Sequence, residues 1–108
     1  LGDTWEYDGQ RWTEVSSEAS PGLRRLHGLV HHPGEATTVL FGGFTGEEFL
    51  GDTWLYAADG WTPLAVGNAP SPRYGHLLVM DTDRERVVLF GGVVSDGQFV
   101  NDTWVLQR

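Results

Sequence analysis

Arg86-Val87-Val88-Leu89-Phe90-Gly91-Gly92 is the stretch whose reading decides the fold. A compact apolar run with β-branched residues, ended by two glycines, suits a strand buried on both faces. Thr37-Thr38-Val39-Leu40-Phe41-Gly42-Gly43 carries the same wording 49 residues earlier. Upstream of each run, Arg24 to His31 and Arg73 to Met80 read as short β-compatible segments entering from a Pro-containing turn. Between the members of each pair lie His31-His32-Pro33-Gly34-Glu35 and Asp81-Thr82-Asp83-Arg84-Glu85, polar turn chemistry that predicts hairpins. Downstream, Thr53-Trp54-Leu55-Tyr56 alternates and places Trp54 and Tyr56 on one face. Trp61-Thr62-Pro63-Leu64 reads as a fourth strand, which Pro63 confines to an edge. Asp8-Gly9 and Asp59-Gly60 are turn signals between third and fourth strands.

The whole pattern recurs. Gly2-Asp3-Thr4-Trp5 returns as Gly51-Asp52-Thr53-Trp54 and again as Asn101-Asp102-Thr103-Trp104. Laying residues 2–50 over 51–99 without a gap matches 17 of 49 pairs, where chance gives about three on average composition. The unit is a four-stranded antiparallel sheet of about 49 residues in slightly more than two copies. A lone sheet cannot cover two apolar faces, whereas stacked copies cover each other.

Composition narrows the function. At 108 residues, 40% hydrophobic and 20% charged, the chain can build one domain's core. No apolar run approaches the ~20 residues of a membrane span. The chain opens on Leu1 without a charged-then-apolar leader, so no signal peptide is expected and the sequence looks cut or processed. Seven basic residues, all Arg, stand against 15 acidic ones for a net charge of −8. Such a chain repels phosphate backbones and anionic lipid, so neither nucleic acid nor membrane is an expected partner. The absence of Cys removes disulfides, thiolate nucleophiles and Cys-ligated metals. Missing Lys and Ile point to a GC-rich bacterial genome, and composition assigns no compartment.

The ordered motifs resemble the kelch repeat, whose period is near 50. They are Arg73-Tyr74-Gly75-His76, Phe90-Gly91-Gly92, Trp54, Tyr56 and Trp61 in one copy, and Arg24-Arg25-Leu26-His27, Phe41-Gly42-Gly43, Trp5, Tyr7 and Trp12 in the other. The Asp-Thr-Trp…Asp-Gly…Trp wording is similar to bacterial-type kelch repeats. The resemblance implies an all-β kelch-type β-propeller segment over residues 1–108. It divides the chain into strands 3-4 of a first blade (1–23), a complete blade (24–69) and strands 1-2-3 of a further blade (70–108). Kelch propellers usually have six or seven blades. The expected partners are therefore further copies of the chain or the remainder of a longer propeller chain.

Residues that repeat read as scaffold. The paired glycines lack the Lys-Ser/Thr of a phosphate loop and are expected to serve backbone geometry. Trp5, Trp54 and Trp104, like Trp12 and Trp61, are expected in packing between blades. His27 and His76 are expected to hydrogen-bond within each blade. His31 and His32 point oppositely on a strand and do not converge on a metal. Asp3, Asp52 and Asp102, with Arg24 and Arg73, predict a recurring Asp–Arg or Asp–backbone bond. No catalytic constellation, metal site or cofactor site is expected.

The residues that differ between copies are the binding candidates: Arg25, Glu47, Glu48, Phe49, Tyr74, Asp96, Gln98 and Phe99. Variable polar and aromatic loops on a rigid scaffold are where binding resides. The leading expectation is a non-catalytic kelch propeller module that presents these loops to a protein or glycan, dependent on assembly into a closed ring. The alternatives are a self-assembling repeat chain, natural or engineered, with no ligand, and part of a kelch-type sugar enzyme such as a sialic acid mutarotase. The copper oxidases of the family need a Cys cross-linked to a Tyr, which this chain cannot supply.

Overall fold

A computed structural model describes residues 2–106; Leu1, Gln107 and Arg108, at the outer ends of the first and last predicted segments, lie outside the described residues. Ten strands form three antiparallel sheets, and no α-helix occurs among the described residues. The first sheet pairs β1 (Thr4–Tyr7) with β2 (Trp12–Val15). The second runs β3 (Gly28–His32), β4 (Thr37–Phe44), β5 (Phe49–Ala57) and β6 (Gly60–Leu64) in sequence order. In the third, β9 (Arg86–Val94) lies between β10 (Phe99–Leu106) and two short strands, β7 (Arg73–Tyr74) and β8 (Leu77–Asp81). Pro63 sits in β6, the edge strand, where its missing N–H costs no ladder bond.

The first strand of each repeat differs from the expected unbroken run. Leu26 and Gly75 occupy equivalent positions and both adopt positive φ, 58° and 70°. The chain turns out of the sheet there, so Arg25 makes only an isolated bridge to Phe44 and the full strand resumes at Gly28 or Leu77. The two breaks meet: the Gly75 amide donates to the Leu26 carbonyl at 2.9 Å and ties the sheets together.

The core lies between the second and third sheets, except that Leu40 is buried on the opposite face of the second sheet, toward the first. Val39, Leu40, Phe41, Val87 and Leu89 are each at most 4% exposed, and burying each such side chain is worth roughly 1.5–3 kcal/mol. Close approach is permitted by the paired glycines. Gly43, at φ 114°, has the Arg25 carbonyl 2.9 Å from where a Cβ would stand, and Gly92 has the Tyr74 carbonyl at 3.0 Å. That agrees with the backbone role expected of both pairs.

The first sheet joins the second by polar contacts. The Trp61 indole donates to Thr4 Oγ1 at 2.9 Å, the Trp61 amide to Ser17 Oγ at 3.1 Å, and the Tyr56 hydroxyl to Glu6. The expectation that the indoles fill a core holds only in part. Trp54, Trp61 and Trp104 are half-buried, whereas Trp5 and Trp12 are 48% and 63% exposed. Trp5, Tyr7 and Trp12 occupy the face of the first sheet opposite Thr4, and no sheet covers it.

Candidate functional site

Each complete repeat is pinned by one buried arginine. Arg24 donates to both Asp52 oxygens at 2.7 and 2.8 Å, to Gly42 O at 3.1 Å, and to Pro21 O. Arg73 donates likewise to Asp102 at 2.7 and 2.9 Å, and to Gly91 O at 2.9 Å. The bidentate fork compensates a guanidinium removed from water, which would otherwise be strongly unfavourable, although Arg24 Nε stays buried without a partner. The same carboxylates accept the Trp54 and Trp104 indole N–H groups at 2.8 Å, and Asp3 accepts that of Trp5 at 2.9 Å. The Arg73 and Trp104 bonds hold the Asp102 carboxyl far below the usual range. Desolvation pulls Asp52 upward, but the Arg24 and Trp54 bonds outweigh it and lower it as well. Asp52 and Asp102 are engaged by the scaffold, in agreement with the expected Asp–Arg bond, whereas Asp3 holds only the Trp5 indole among the described residues.

The histidines depart from expectation. His76 does not bond within its own sheet; its Nε2 lies 2.8 Å from the Phe41 carbonyl of the second sheet. Its Nδ1 is buried without a partner, and burial, followed by Arg73 and His27, depresses its pKa against the pull of that carbonyl. His27, at the equivalent place, is exposed on the side away from the third sheet, where it borders the cleft between the first and second sheets. His32 is taken up locally, with Nδ1 3.3 Å from the Glu35 amide and Nε2 3.2 Å from Glu85 O, and His31 lies 3.3 Å from Thr38 Oγ1.

What remains is a rim in which the variable residues Arg25, Phe44 and Tyr74 surround Phe49, whose place in the third sheet is taken by Phe99. Phe44 and Phe49 end β4 and β5 as a cross-strand pair, with ring centroids 5.2 Å apart. Tyr74 of the third sheet stacks on Phe49 at 5.2 Å and 29° and tilts against Phe44 at 5.3 Å. The Arg25 guanidinium lies 5.5 Å over the Phe44 ring, a cation–π contact. Beside this cluster the β4–β5 turn is closed by Thr45: its Oγ1 accepts the Glu47 and Glu48 amides at 3.2 and 2.9 Å, and its amide donates to Glu48 O at 3.1 Å. The turn leaves both carboxylates exposed. The site is therefore a three-ring cluster with a cation over Phe44 and two exposed acidic residues in the adjoining turn.

Of the eight candidates, the structure brings Arg25, Phe49 and Tyr74 into one cluster with Glu47 and Glu48 beside it. Asp96, Gln98 and Phe99 belong to the corresponding β9–β10 turn, where the Gln98 amide bonds Asp96 Oδ1 at 3.0 Å and Phe99 is 85% exposed. Phe44, the hub of the cluster, lies in the segment that differs between copies but is not among the eight candidates. It aligns with Val93, and an aromatic-for-aliphatic difference next to the paired glycines was the available signal. Comparison with protein-family models finds no match, and comparison with curated proteins finds none. The fold and the site together define an all-β repeat protein of antiparallel sheets with a variable aromatic rim.

Proposed function

We propose that the chain is a non-catalytic binding module whose three sheets are successive blades of a kelch-type β-propeller, and that the Arg25–Phe44–Phe49–Tyr74 rim with Glu47 and Glu48 receives its ligand. The carrying observation is the division of labour between repeated and variable residues. Repeated polar side chains such as Arg24, Arg73, Asp52 and Asp102 are consumed by internal bonds, whereas the variable ones converge at one rim. Half-buried aromatic rings beside exposed carboxylates suit a protein segment bearing Arg or Lys, and the net charge of −8 steers such a cation inward. Catalysis is not part of this reading. No acceleration of sialic acid anomerisation is expected.

Calorimetric titration with a panel of short cationic peptides, and in parallel with neutral and acidic oligosaccharides, tests it. Saturable peptide binding that falls at least tenfold in a Glu47→Gln/Glu48→Gln double variant with an unchanged circular dichroism spectrum is the expected result. Affinity unaffected by that variant and by Tyr74→Ala would remove the rim from consideration.

A further inference from the structure

We infer that the outer face of the third sheet is a docking surface for the second sheet of another copy of this chain, so that copies join head to tail; this rests on the blade reading above. Repeat equivalence shows what that face lacks. Phe41 is 4% exposed because the third sheet covers it, whereas its repeat mate Phe90 is 49% exposed. Thr53 is buried in the same way, and its mate Thr103 is exposed. The covering side chains inside the chain are those on the inner face of the third sheet, Leu78 and Leu89. Their mates Leu29 and Leu40 line the cleft between the first and second sheets, where Leu29 is 53% exposed and Leu40 is already buried. One end of the chain carries the face that needs cover, and the other carries the face that supplies it.

The exposed area has the right size. The chain presents 6982 Å² to solvent, against roughly 6,000 Å² from the size scaling of self-sufficient monomers of this mass. The excess of about 1,000 Å² is comparable to what one partner buries in a standard interface.

Two contacts fix the register. Tyr74 lies over Phe49 within the chain, and Arg25 is the repeat mate of Tyr74 as Phe99 is the structural mate of Phe49. Docking therefore sets Arg25 of the arriving copy over the exposed Phe99 ring as a cation–π contact. The Gly75 amide bond to the Leu26 carbonyl likewise recurs as Leu26 of the arriving copy donating to the Gly75 carbonyl. The arriving β1 then meets the place held by β10. Strand β10 keeps it, being eight residues long and anchored through Asp102 on buried Arg73, whereas β1 has four residues and Asp3 holds no arginine among the described residues. Leu77 stands where the second sheet has Gly28, whose Cβ position is already 2.7 Å from Leu78. The docked sheets are therefore a side chain farther apart there, and Leu77→Gly tightens the assembly.

The chain has no native cysteine, so the register can be read by crosslinking. Full-length chains carrying only Arg25→Cys are mixed with chains carrying only Phe99→Cys and treated with a short bismaleimide. Covalent dimer in the mixture, absent from either variant alone and abolished by adding Phe90→Asp, is expected. A double Phe49→Cys/Tyr74→Cys chain serves as the control, because its bridge forms within one chain whenever the sheets stack as described. No dimer with the control bridge intact, or dimer from either variant alone, would overturn the docking and leave the stacked reading standing. Loss of the control bridge would overturn both.

Discussion

Arg73 is 1% exposed yet carries a full charge, so its stability depends on one carboxylate. Asp102→Asn leaves that guanidinium buried and half-satisfied, which costs about 3 kcal/mol; the midpoint of urea unfolding should fall accordingly. Arg73→Lys should not rescue the loss, because an ammonium cannot span both oxygens and Gly91 O together. Leu26 offers the opposite opportunity. It holds φ 58° where the other repeat has Gly75, so Leu26→Gly should relieve strain and raise stability by roughly 0.5–1 kcal/mol, measured in the same urea titration. A lower midpoint would mean that the exposed Leu26 side chain contributes packing the fold does not reveal. His76 sets a pH dependence. Its folded pKa lies below the ordinary 6.5, so the unfolded chain takes up the proton first. Stability is level above pH 6.5 and falls as the pH drops below it. Below about pH 3.8 the contribution of Asp52 and Asp102, both held low, is lost as well. Unfolding midpoints between pH 5 and 8 check the sign, and His76→Gln, which keeps a donor for Phe41 O, should flatten the slope.

At the scale of strands and turns, Gly43→Ala should do more damage than its small size suggests. It combines a φ of 114° with a Cβ 2.9 Å from the Arg25 carbonyl, so strand and bridge cannot both persist. A loss of about 2 kcal/mol or more is expected, with faster amide exchange at Arg25 and Phe44, whose mutual bonds of 3.0 and 2.9 Å close this corner. Protection unchanged at those two amides would contradict the close approach. Most strands were legible because the repeat shows each pattern twice: the β4 and β9 runs and the edge position of β6 follow from residue type and order, although β9 is buried on one face only, with Phe90 exposed, and sequence left Asp–Arg and Asp–backbone bonds as alternatives. The interruption of the first strand was less so, since Leu26 masks a left-handed position that only Gly75 advertises. Contacts between sheets were illegible for a different reason. Whether His76 bonds within its sheet or reaches Phe41 O depends on how two sheets stack, which no spacing along one chain encodes. The same holds for the rim, where the variable residues announced themselves but their convergence through Phe44 did not.

The whole molecule is extended for its length, with a radius of gyration of 14.0 Å against about 13 Å for a compact chain of this size. Its buried core lies between two sheets, while apolar side chains face water at both ends: Trp5, Tyr7 and Trp12 at one, Leu77, Phe90 and Val105 at the other. Patches of that kind mark interaction surfaces, and the docking proposed above would cover one end with the other. Raising ionic strength should strengthen association, because each copy carries a charge of −8 and apolar contact is opposed by mutual repulsion; sedimentation at two salt concentrations would show it. Native mass spectrometry across a hundredfold dilution decides whether copies assemble: a discrete closed multiple of the 11.9 kDa chain is expected. A folded monomer persisting at every concentration would contradict it.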